Sequence, residues 1–270
     1  MVLSRDVKCC LSVAGSDSGG EAGLQADLQA FTYFGCHGLT AVSAVTAQNP
    51  DEILSRNEVS LACFEDQLKA LQVFPVAAAK TGALVSQSYI EVLLDYLPEK
   101  LVVDPLMISS SGVSLLDANS CDYMKSELIP KATILTPNLP EAEFLLGEKE
   151  GTMEAYAKAL FQRYGVAVYL KGGHSLVGES TDYFICEDGL WSLSSEKLVA
   201  PAVHGTGCRL SSALCANLAL GNSLIESALA SKVYMQEALS SWARLPDGRA
   251  VLMPVSSRGE SSEVELIQIH

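Results

Sequence analysis

Short apolar runs alternate with longer helical patterns along most of the chain. Six of these runs are rich in β-branched residues, Ala or Leu and are typical of strands, at residues 10–14, 39–46, 76–80, 101–104, 132–136 and 167–170. Strands that are apolar on both faces and alternate with helices indicate βαβ units. The pattern therefore predicts an α/β fold of three α-β-α layers around a mostly parallel central sheet.

Apolar residues repeat with helical spacing in two segments, at Leu24, Leu28 and Phe31 and at Leu210, Leu214 and Leu218. Such stripes are the core-facing sides of helices. No internal repeat or long linker divides the chain, so residues 1–270 are predicted to form a single domain. Near its end, residues 246–248 predict a turn, the polar segment 256–262 is expected to be mobile, and residues 264–269 predict an edge strand;.

Each predicted strand stops at a polar or glycine-rich group. These groups are Gly15-Ser16-Asp17, Gln48-Asn49, Lys80, Asp104, Thr136-Pro137-Asn138 and Lys171-Gly172-Gly173. The carboxyl ends of parallel strands share one edge of a sheet, which is where ligands bind in open α/β folds. Taken singly, each group is explained by ordinary turn chemistry. Together they predict a ligand site at this edge.

Charge and cysteine content narrow the class of protein. The 18 Lys and Arg face 32 Asp and Glu, for a formal charge of -14, and no basic stripe is present, so nucleic acid is excluded as a partner;. No apolar run is long enough to span a membrane, and the first residues lack the layout of a signal peptide. The eight Cys show no C-x-x-C spacing, which predicts free thiols and a cytoplasmic protein;.

The first glycine-rich turn, residues 15–27, follows a predicted strand and leads into a helix. Neither G-x-G-x-x-G nor G-x-x-x-x-G-K-[ST] occurs there, which disfavours a nicotinamide-dependent oxidoreductase and a P-loop protein;. Glycines at Gly15 and Gly23 still let a ligand approach the backbone. Asp27 lies one turn beyond Gly23, and its carboxylate either faces that ligand or is a solvated first-turn carboxylate favoured by the helix dipole.

A sharper motif spans residues 204–213, where Gly205, Thr206 and Gly207 lead directly into the second helical stripe. A helix that starts on glycines presents free N–H groups and the positive end of its dipole, which suits charge on a transferring phosphoryl group. Cys208 lies in the first helical turn, where the dipole is expected to lower its thiol pKa. Cys208 is therefore a candidate base or nucleophile, the alternative being a buried helical Cys.

Two further strand ends carry candidate phosphate chemistry. Asn138 and Glu141 stand three residues apart at a helix start, where they either hold Mg²⁺ through water or form a capping box;. Lys171, at the end of a strong strand, is a candidate point charge for phosphate oxygens. His174 beside it is predicted to be a loop residue with a satisfied hydrogen bond.

Seven segments, in order, resemble one family. They are VAGSDSGG at 13–20, GLQADL at 23–28, TAQN at 46–49, VDP at 103–105, TPNLPEA at 136–142, KGGH at 171–174 and HGTGC at 204–208. In these segments the chain is similar to the hydroxymethylpyrimidine/phosphomethylpyrimidine kinases of thiamine biosynthesis, which share the ribokinase-like fold with pyridoxal kinases. The resemblance runs from about residue 11 to about residue 238. It implies ATP-dependent phosphorylation of a pyrimidine alcohol and then of its monophosphate.

The resemblance also implies roles for single residues. Gln48 falls on the pyrimidine-binding glutamine, with Asp27 and the Gly15 turn beside it. Ala83 falls on the position that packs against the pyrimidine ring. Cys208 falls on the cysteine that occupies the base position beside the hydroxymethyl group.

For the phosphate side, the resemblance places Gly205, Thr206 and Gly207 on the anion hole. The residues on the ATP and magnesium side are Asp104, Asn138, Glu141 and Lys171. The implied cofactors are ATP and Mg²⁺, with no metal site made of protein ligands alone. A homodimer is the assembly that the resemblance implies.

The chain departs from the family pattern at several positions. Glu21 stands where the family usually has Gly, so that a carboxylate in the substrate turn is expected to repel a phosphorylated substrate;. Ala83 replaces the usual Met, which predicts a roomier pocket. Arg209 replaces the usual Thr or Ser after the cysteine and is a candidate phosphate contact. Residues 201–203 replace a run rich in Asn and Thr.

These departures keep two alternatives open. A pyridoxal kinase is favoured by the roomier pocket at Ala83 and by a thiol at Cys208 that adds reversibly to an aldehyde. A catalytically degenerate ligand-binding protein of the same fold is favoured by Glu21 and Arg209. The main hypothesis is an ATP- and magnesium-dependent kinase of a small heteroaromatic alcohol.

Overall fold

The strands and helices of the chain are defined by a computed structural model, which describes residues 6–49, 51–107, 115–172, 179–196, 198, 204–255 and 263–269. The strands are β1 Cys9–Asp17, β2 His37–Gln48, β3 Ile53–Glu58, β4 Val76–Thr81, β5 Leu101–Val103, β6 Ile134–Leu135, β7 Ala167–Leu170, β8 Glu179–Cys186, β9 Gly189–Glu196, β10 Trp242–Arg244, β11 Ala250–Leu252 and β12 Glu265–Ile269. The helices are α1 Gly23–Tyr33, α2 Leu61–Leu71, α3 Gln87–Leu94, α4 Ala118–Tyr123, α5 Leu139–Leu146, α6 Met153–Tyr164, α7 Thr206–Leu220 and α8 Leu224–Ser240.

Ten of these strands form one sheet in the order β12-β9-β8-β7-β6-β5-β4-β1-β2-β3. The six strands that the apolar runs predict, β1, β2 and β4 to β7, are contiguous and parallel. Antiparallel strands extend both ends, with β3 beside β2 and with β8, β9 and β12 beyond β7. The predicted edge strand near the end of the chain is therefore confirmed as β12.

Helices cover both faces of the sheet, as predicted. Phe31 of α1, Leu214 of α7 and Tyr234 of α8 belong to one buried apolar cluster. Helices α2 to α6 pack on the opposite face, where Phe64 and Leu145 lie in a second cluster. Strands buried on both faces carry apolar side chains at nearly every position, which is why the six parallel strands stand out in the sequence.

The remaining segments follow the predictions as far as they are described. Residues 246–248 form the turn of the antiparallel β10–β11 hairpin, in which Gly248 donates its N–H to the Leu245 carbonyl. Across the described ranges, no helix has the length and apolar character needed to cross a bilayer. His174, residues 201–203 and the polar segment 256–262 lie outside the described residues.

Candidate active site

Helix α7 begins at the ligand-binding edge of the sheet with a glycine as its N-cap. Gly205 has φ +76°, and its carbonyl accepts the first helical hydrogen bond, from the N–H of Arg209 at 3.0 Å. The three amides before Arg209, those of Thr206, Gly207 and Cys208, therefore have no acceptor inside the helix. A glycine N-cap has no side chain with which to occupy them. The predicted anion site thus has the local geometry it requires.

The turn between β1 and α1 packs directly against this helix start. A Cβ added to Gly205 would lie 1.8 Å from the carbonyl oxygen of Glu21, a separation that no side chain tolerates. The backbone N–H of Gly23 favours the thiolate of Cys208. Glycine at position 205 is therefore required both by its positive φ and by this close approach. The first turn of α7 and the glycine-rich turn form one packed unit.

Asp17 organises the glycine-rich turn from inside. Its carboxylate accepts the backbone N–H groups of Gly19, Glu21 and Ala22 at 2.8, 3.1 and 2.9 Å. Gln25 accepts the N–H of Asp17 at 2.9 Å and so ties the turn to α1. Sequence analysis placed Asp17 only at a strand end and missed this role, although an Asp followed by Ser and Gly is a common signal for such side-chain to backbone turns.

Asp27 lies beneath the turn rather than facing the open edge. Its side chain is fully buried and accepts hydrogen bonds from Lys80 at 2.9 and 3.0 Å, from Ser212 at 2.7 Å and from Ser12 at 2.5 Å. Burial alone would lower the pKa of Lys80, but the adjacent Asp27 carboxylate raises it above its usual value;. The structure therefore makes Asp27 part of a buried ion pair between α1, β4 and α7. It supports neither a ligand contact nor a solvated carboxylate.

Cys208 is 8% exposed, and the charges of this ion pair act on its thiol. Burial raises its pKa, while the Lys80 ammonium acts in the opposite direction. The carboxylates of Asp27 and Asp104 add to the increase. The predicted lowering of the Cys208 pKa is therefore wrong, because desolvation of the thiolate outweighs the favourable charges around it.

Lys171 is held between two carboxylates next to the start of α7. Its ammonium lies 3.1 Å from Asp104 and 3.6 Å from Glu141, and a Cβ added to Gly207 would lie 3.4 Å from the same nitrogen. Ser211, one turn into α7, donates to Asp104 at 3.3 Å. Burial lowers the pKa of Lys171, but the two carboxylates raise it above its usual value. The lysine is therefore charged and adjacent to the free amides.

Asn138 and Glu141 form a complete capping box at the start of α5. Asn138 accepts the N–H of Glu141 at 2.8 Å, and Glu141 accepts the N–H of Asn138 at 2.8 Å. Burial raises the pKa of Glu141, whereas Lys171 opposes the shift. The capping role uses one oxygen of each side chain, and it fixes the Glu141 carboxylate beside Lys171.

The carboxylates of Asp104 and Glu141 suit a magnesium ion that is bound together with phosphate. Within the described part of the chain, no group of three or more His, Cys, Asp or Glu side chains is placed to hold a metal. Mg²⁺ commonly takes one or two carboxylates, keeps several waters and completes its shell with substrate phosphates. This donor set therefore fits a nucleotide-bound ion.

The predicted acceptor residues meet at the ends of β1, β2 and β4. A Cβ added to Gly15 would lie 4.0 Å from the Cβ of Ala83. Gln48 exchanges two hydrogen bonds of 2.8 Å with the hydroxyl of Ser18 through its backbone, and its side-chain oxygen accepts from Thr46 at 3.4 Å. Gly15, Gln48 and Ala83 thus flank the same turn. Their role in binding a ring stays a prediction.

Arg209 connects three parts of the chain. It is 1% exposed and donates to the carbonyl of Glu21 at 2.9 Å, to the side chain of Gln29 at 2.6 Å and to the carbonyl of Leu252 at 3.4 Å. A phosphate contact, which the sequence suggested, is not supported by this geometry because protein acceptors already surround the guanidinium. Its long-range partners could not be found from the sequence.

Solved structures that match this fold include kinases. Pyridoxal kinase from Staphylococcus aureus in complex with ADP matches with a TM-score of 0.87 at 28% identity, covering 98% of this chain and 100% of that chain. Phosphomethylpyrimidine kinase from Clostridium difficile matches with a TM-score of 0.75 at 36% identity, covering 86% and 99%. The fold and site therefore define a kinase of the ribokinase-like class.

Sequence comparison assigns the family. A family model described as phosphomethylpyrimidine kinase matches residues 17–252. Hydroxymethylpyrimidine/phosphomethylpyrimidine kinase from Haemophilus influenzae is 38% identical over 247 residues, 87% of this chain and 92% of that protein. The chain belongs to the phosphomethylpyrimidine kinase family, which confirms the resemblance, the fold class and the class of enzyme.

Proposed function

We propose that the chain transfers the terminal phosphoryl group of ATP to the alcohol of 4-amino-5-hydroxymethyl-2-methylpyrimidine, and then to the resulting monophosphate, in thiamine biosynthesis or salvage. Family membership supports the reaction and its acceptor. A relative from Arabidopsis thaliana that is named a thiamine biosynthetic bifunctional enzyme, 36% identical over 245 residues, supports the pathway.

The observation that carries this proposal is the placement of the α7 start between two groups of residues. On one side Gly207 lies against Lys171, and on the other Gly205 and Cys208 contact the glycine-rich turn. Phosphoryl transfer depends mainly on holding donor and acceptor in line in an electropositive site. This helix start is the point at which a nucleotide phosphate and an acceptor alcohol would meet.

The phosphate side provides charge. The free amides of Thr206, Gly207 and Cys208 would donate to the oxygens on which charge grows during transfer. Lys171 provides a full positive charge beside them. Asp104 and Glu141 would hold magnesium through water, and that ion, when bound, neutralises the phosphate oxygens of ATP.

Cys208 is the group that accepts the proton of the acceptor alcohol in this proposal. In the first reaction a bond forms between the alcohol oxygen and the γ-phosphorus, the bond from that phosphorus to the leaving ADP oxygen breaks, and the proton passes to the Cys208 thiolate. The Lys80 ammonium favours that thiolate, although burial opposes it. In the second reaction the acceptor is a phosphate monoester, which is largely ionised and needs no base.

The acceptor ring would bind over the ends of β1, β2 and β4. The amide of Gln48 pairs with the nitrogen edge of the ring, and the glycine backbone at Gly15 lets the ring approach closely. Ala83 lies beneath the ring, and its short side chain leaves more space than a longer residue would. Asp27 stabilises this part of the site through its buried ion pair with Lys80.

A second candidate function is phosphorylation of pyridoxal. The TM-score is higher for the S. aureus pyridoxal kinase, 0.87, than for the C. difficile phosphomethylpyrimidine kinase, 0.75, although the identity is lower. A pocket floored by Ala83 also accommodates a larger ring. Turnover of the pyrimidine alcohol and of pyridoxal, measured side by side, distinguishes the two functions.

A coupled ADP-release assay tests the proposal. Purified protein is given ATP and Mg²⁺ with a panel of pyrimidine and pyridine alcohols, and the highest kcat/KM is expected for the pyrimidine alcohol. A Lys158→Met variant is the control, because Lys158 pairs with Glu154 on the exposed surface of α6. Thermal stabilisation by these ligands without any ADP release would instead identify a degenerate binding protein.

Three features of the whole protein complete the proposal. Residues 1–270 form a single kinase domain, in which ten of the described strands join one sheet. Eight free thiols, most of them buried, suit the cytoplasm;. A homodimer is the proposed assembly, and light scattering of the purified chain measures it.

A further inference from the structure

The turn after β1 contains a largely buried carboxyl group, that of Glu21. Glu21 is 8% exposed, and its Oε2 atom is buried without a hydrogen-bond partner in the described part of the chain. Asp17, by contrast, has its carboxylate occupied by three backbone amides of the turn. An unpaired buried oxygen costs stability, so its presence calls for a functional explanation.

Glu21 lies next to the start of α7, where the anion site is predicted. Its backbone carbonyl oxygen lies where a Cβ on Gly205 would be only 1.8 Å away, and it accepts a hydrogen bond from Arg209 at 2.9 Å. The charged and titratable groups that act on its carboxyl are His204, which precedes Gly205, together with Asp17, Arg209 and Arg249. Burial raises the pKa of Glu21, as expected for a carboxylate in a poorly solvated place;.

We propose that Glu21 is a specificity-determining residue that disfavours acceptors already carrying phosphate, so that the neutral alcohol is phosphorylated in preference to its monophosphate. This inference rests on the proposed function, because it concerns the two acceptors of the same site. A monophosphate brings its negative charge to the start of α7, where the carboxylate of Glu21 repels it through a medium of low polarity. The alcohol is neutral and experiences no such repulsion.

His204 and the two arginines oppose this repulsion and limit its size without removing it. Arg209 is committed to backbone and amide acceptors, and Arg249 pairs with Asp247 at 2.7 Å on the exposed surface. Their charge offsets part of the repulsion. We therefore expect removal of the Glu21 charge to change acceptor preference by about tenfold rather than by several orders of magnitude.

The test measures kcat/KM for the alcohol and for the monophosphate separately, at pH 8, in the unaltered protein and in Glu21→Gln. The variant keeps the shape of the side chain and removes its charge. We expect the ratio of monophosphate to alcohol kcat/KM to rise about tenfold. Glu99→Gln is the control, because Glu99 is exposed before β5, at the opposite edge of the sheet, and the same charge is removed.

Titration calorimetry without ATP gives a second measurement that does not depend on turnover. Glu21→Gln should tighten the Kd of the monophosphate more than that of the alcohol. An unchanged ratio and unchanged relative affinities in Glu21→Gln, or an equal change in Glu99→Gln, would overturn the role of Glu21. Phosphorylation of neither acceptor by the unaltered protein is a distinct result, since it would refute the proposed function itself.

Discussion

Replacement of Gly205 by Ala tests whether the start of α7 is the catalytic anion site. Gly205 has φ +76°, a conformation that costs a residue with a Cβ about 1–2 kcal/mol;. The new Cβ would also lie 1.8 Å from the Glu21 carbonyl oxygen, so the two backbones must separate by more than 1 Å. A misplacement of about 1 Å at a reacting centre lowers rates by roughly 100-fold. We expect kcat to fall by about that factor.

Gly221→Ala is the matched control. Gly221 ends the same helix with φ +92°, and a Cβ added there meets nothing within 4 Å. Both variants should lose about 1–2 kcal/mol of unfolding free energy in urea from the left-handed backbone alone. Only Gly205→Ala should lose kcat in the coupled ADP assay at saturating ATP. If Gly205→Ala keeps kcat within about threefold of Gly221→Ala, the assignment of the anion site is refuted.

Three further predictions concern the groups around this helix start. Cys208→Ala should slow phosphorylation of the alcohol far more than phosphorylation of the monophosphate, and equal losses in both steps contradict the base role. In the unaltered protein, the rate of alcohol phosphorylation should rise with pH, because the pKa of Cys208 is raised and the thiolate forms only as the pH increases. Lys171→Met should raise the KM for ATP and lower kcat, whereas Lys158→Met should change neither. Lys80→Met leaves the Asp27 carboxylate buried without its ion-pair partner, which should lower the free energy of unfolding in urea by about 3–5 kcal/mol;. The double variant Lys80→Met/Asp27→Asn should recover part of this loss. Full stability of the single variant would be inconsistent with the ion pair.

The parallel part of the sheet could be predicted because its strands are apolar on both faces. Strands β8 and β9 were missed because polar residues interrupt their apolar pattern. Asp182 of β8 is buried, yet it pairs with Lys232 at 2.9 Å and accepts the Tyr169 hydroxyl at 2.8 Å. The ion pair with Lys232, 50 positions further along the chain, compensates the burial of the Asp182 carboxylate;. The sequence around Asp182 alone does not indicate that partner.

In the candidate site too, features set by local sequence were predicted, and features set by distant partners were missed. The strand ends, the glycine-initiated helix and Lys171 follow from local rules, since a parallel sheet brings its carboxyl ends together. The prediction that the pKa of Cys208 is lowered was wrong because the helix dipole is a local effect, whereas burial of the thiol depends on the whole fold;. Asp27 and Arg209 were misplaced because their partners come from distant segments.

The close packing of the glycine-rich turn against α7 also bears on how acceptor preference diverges. Gly205 and Gly23 lock the turn to the helix start, so these two segments should exchange their amide hydrogens as one slow unit;. Gln48 contacts the turn through its backbone, by its hydrogen bonds with Ser18, and Ala83 lies just beyond β4, so neither side chain belongs to the packing between Gly205 and the turn. Natural variation at these two positions can therefore retune ring recognition while the transfer geometry is inherited unchanged.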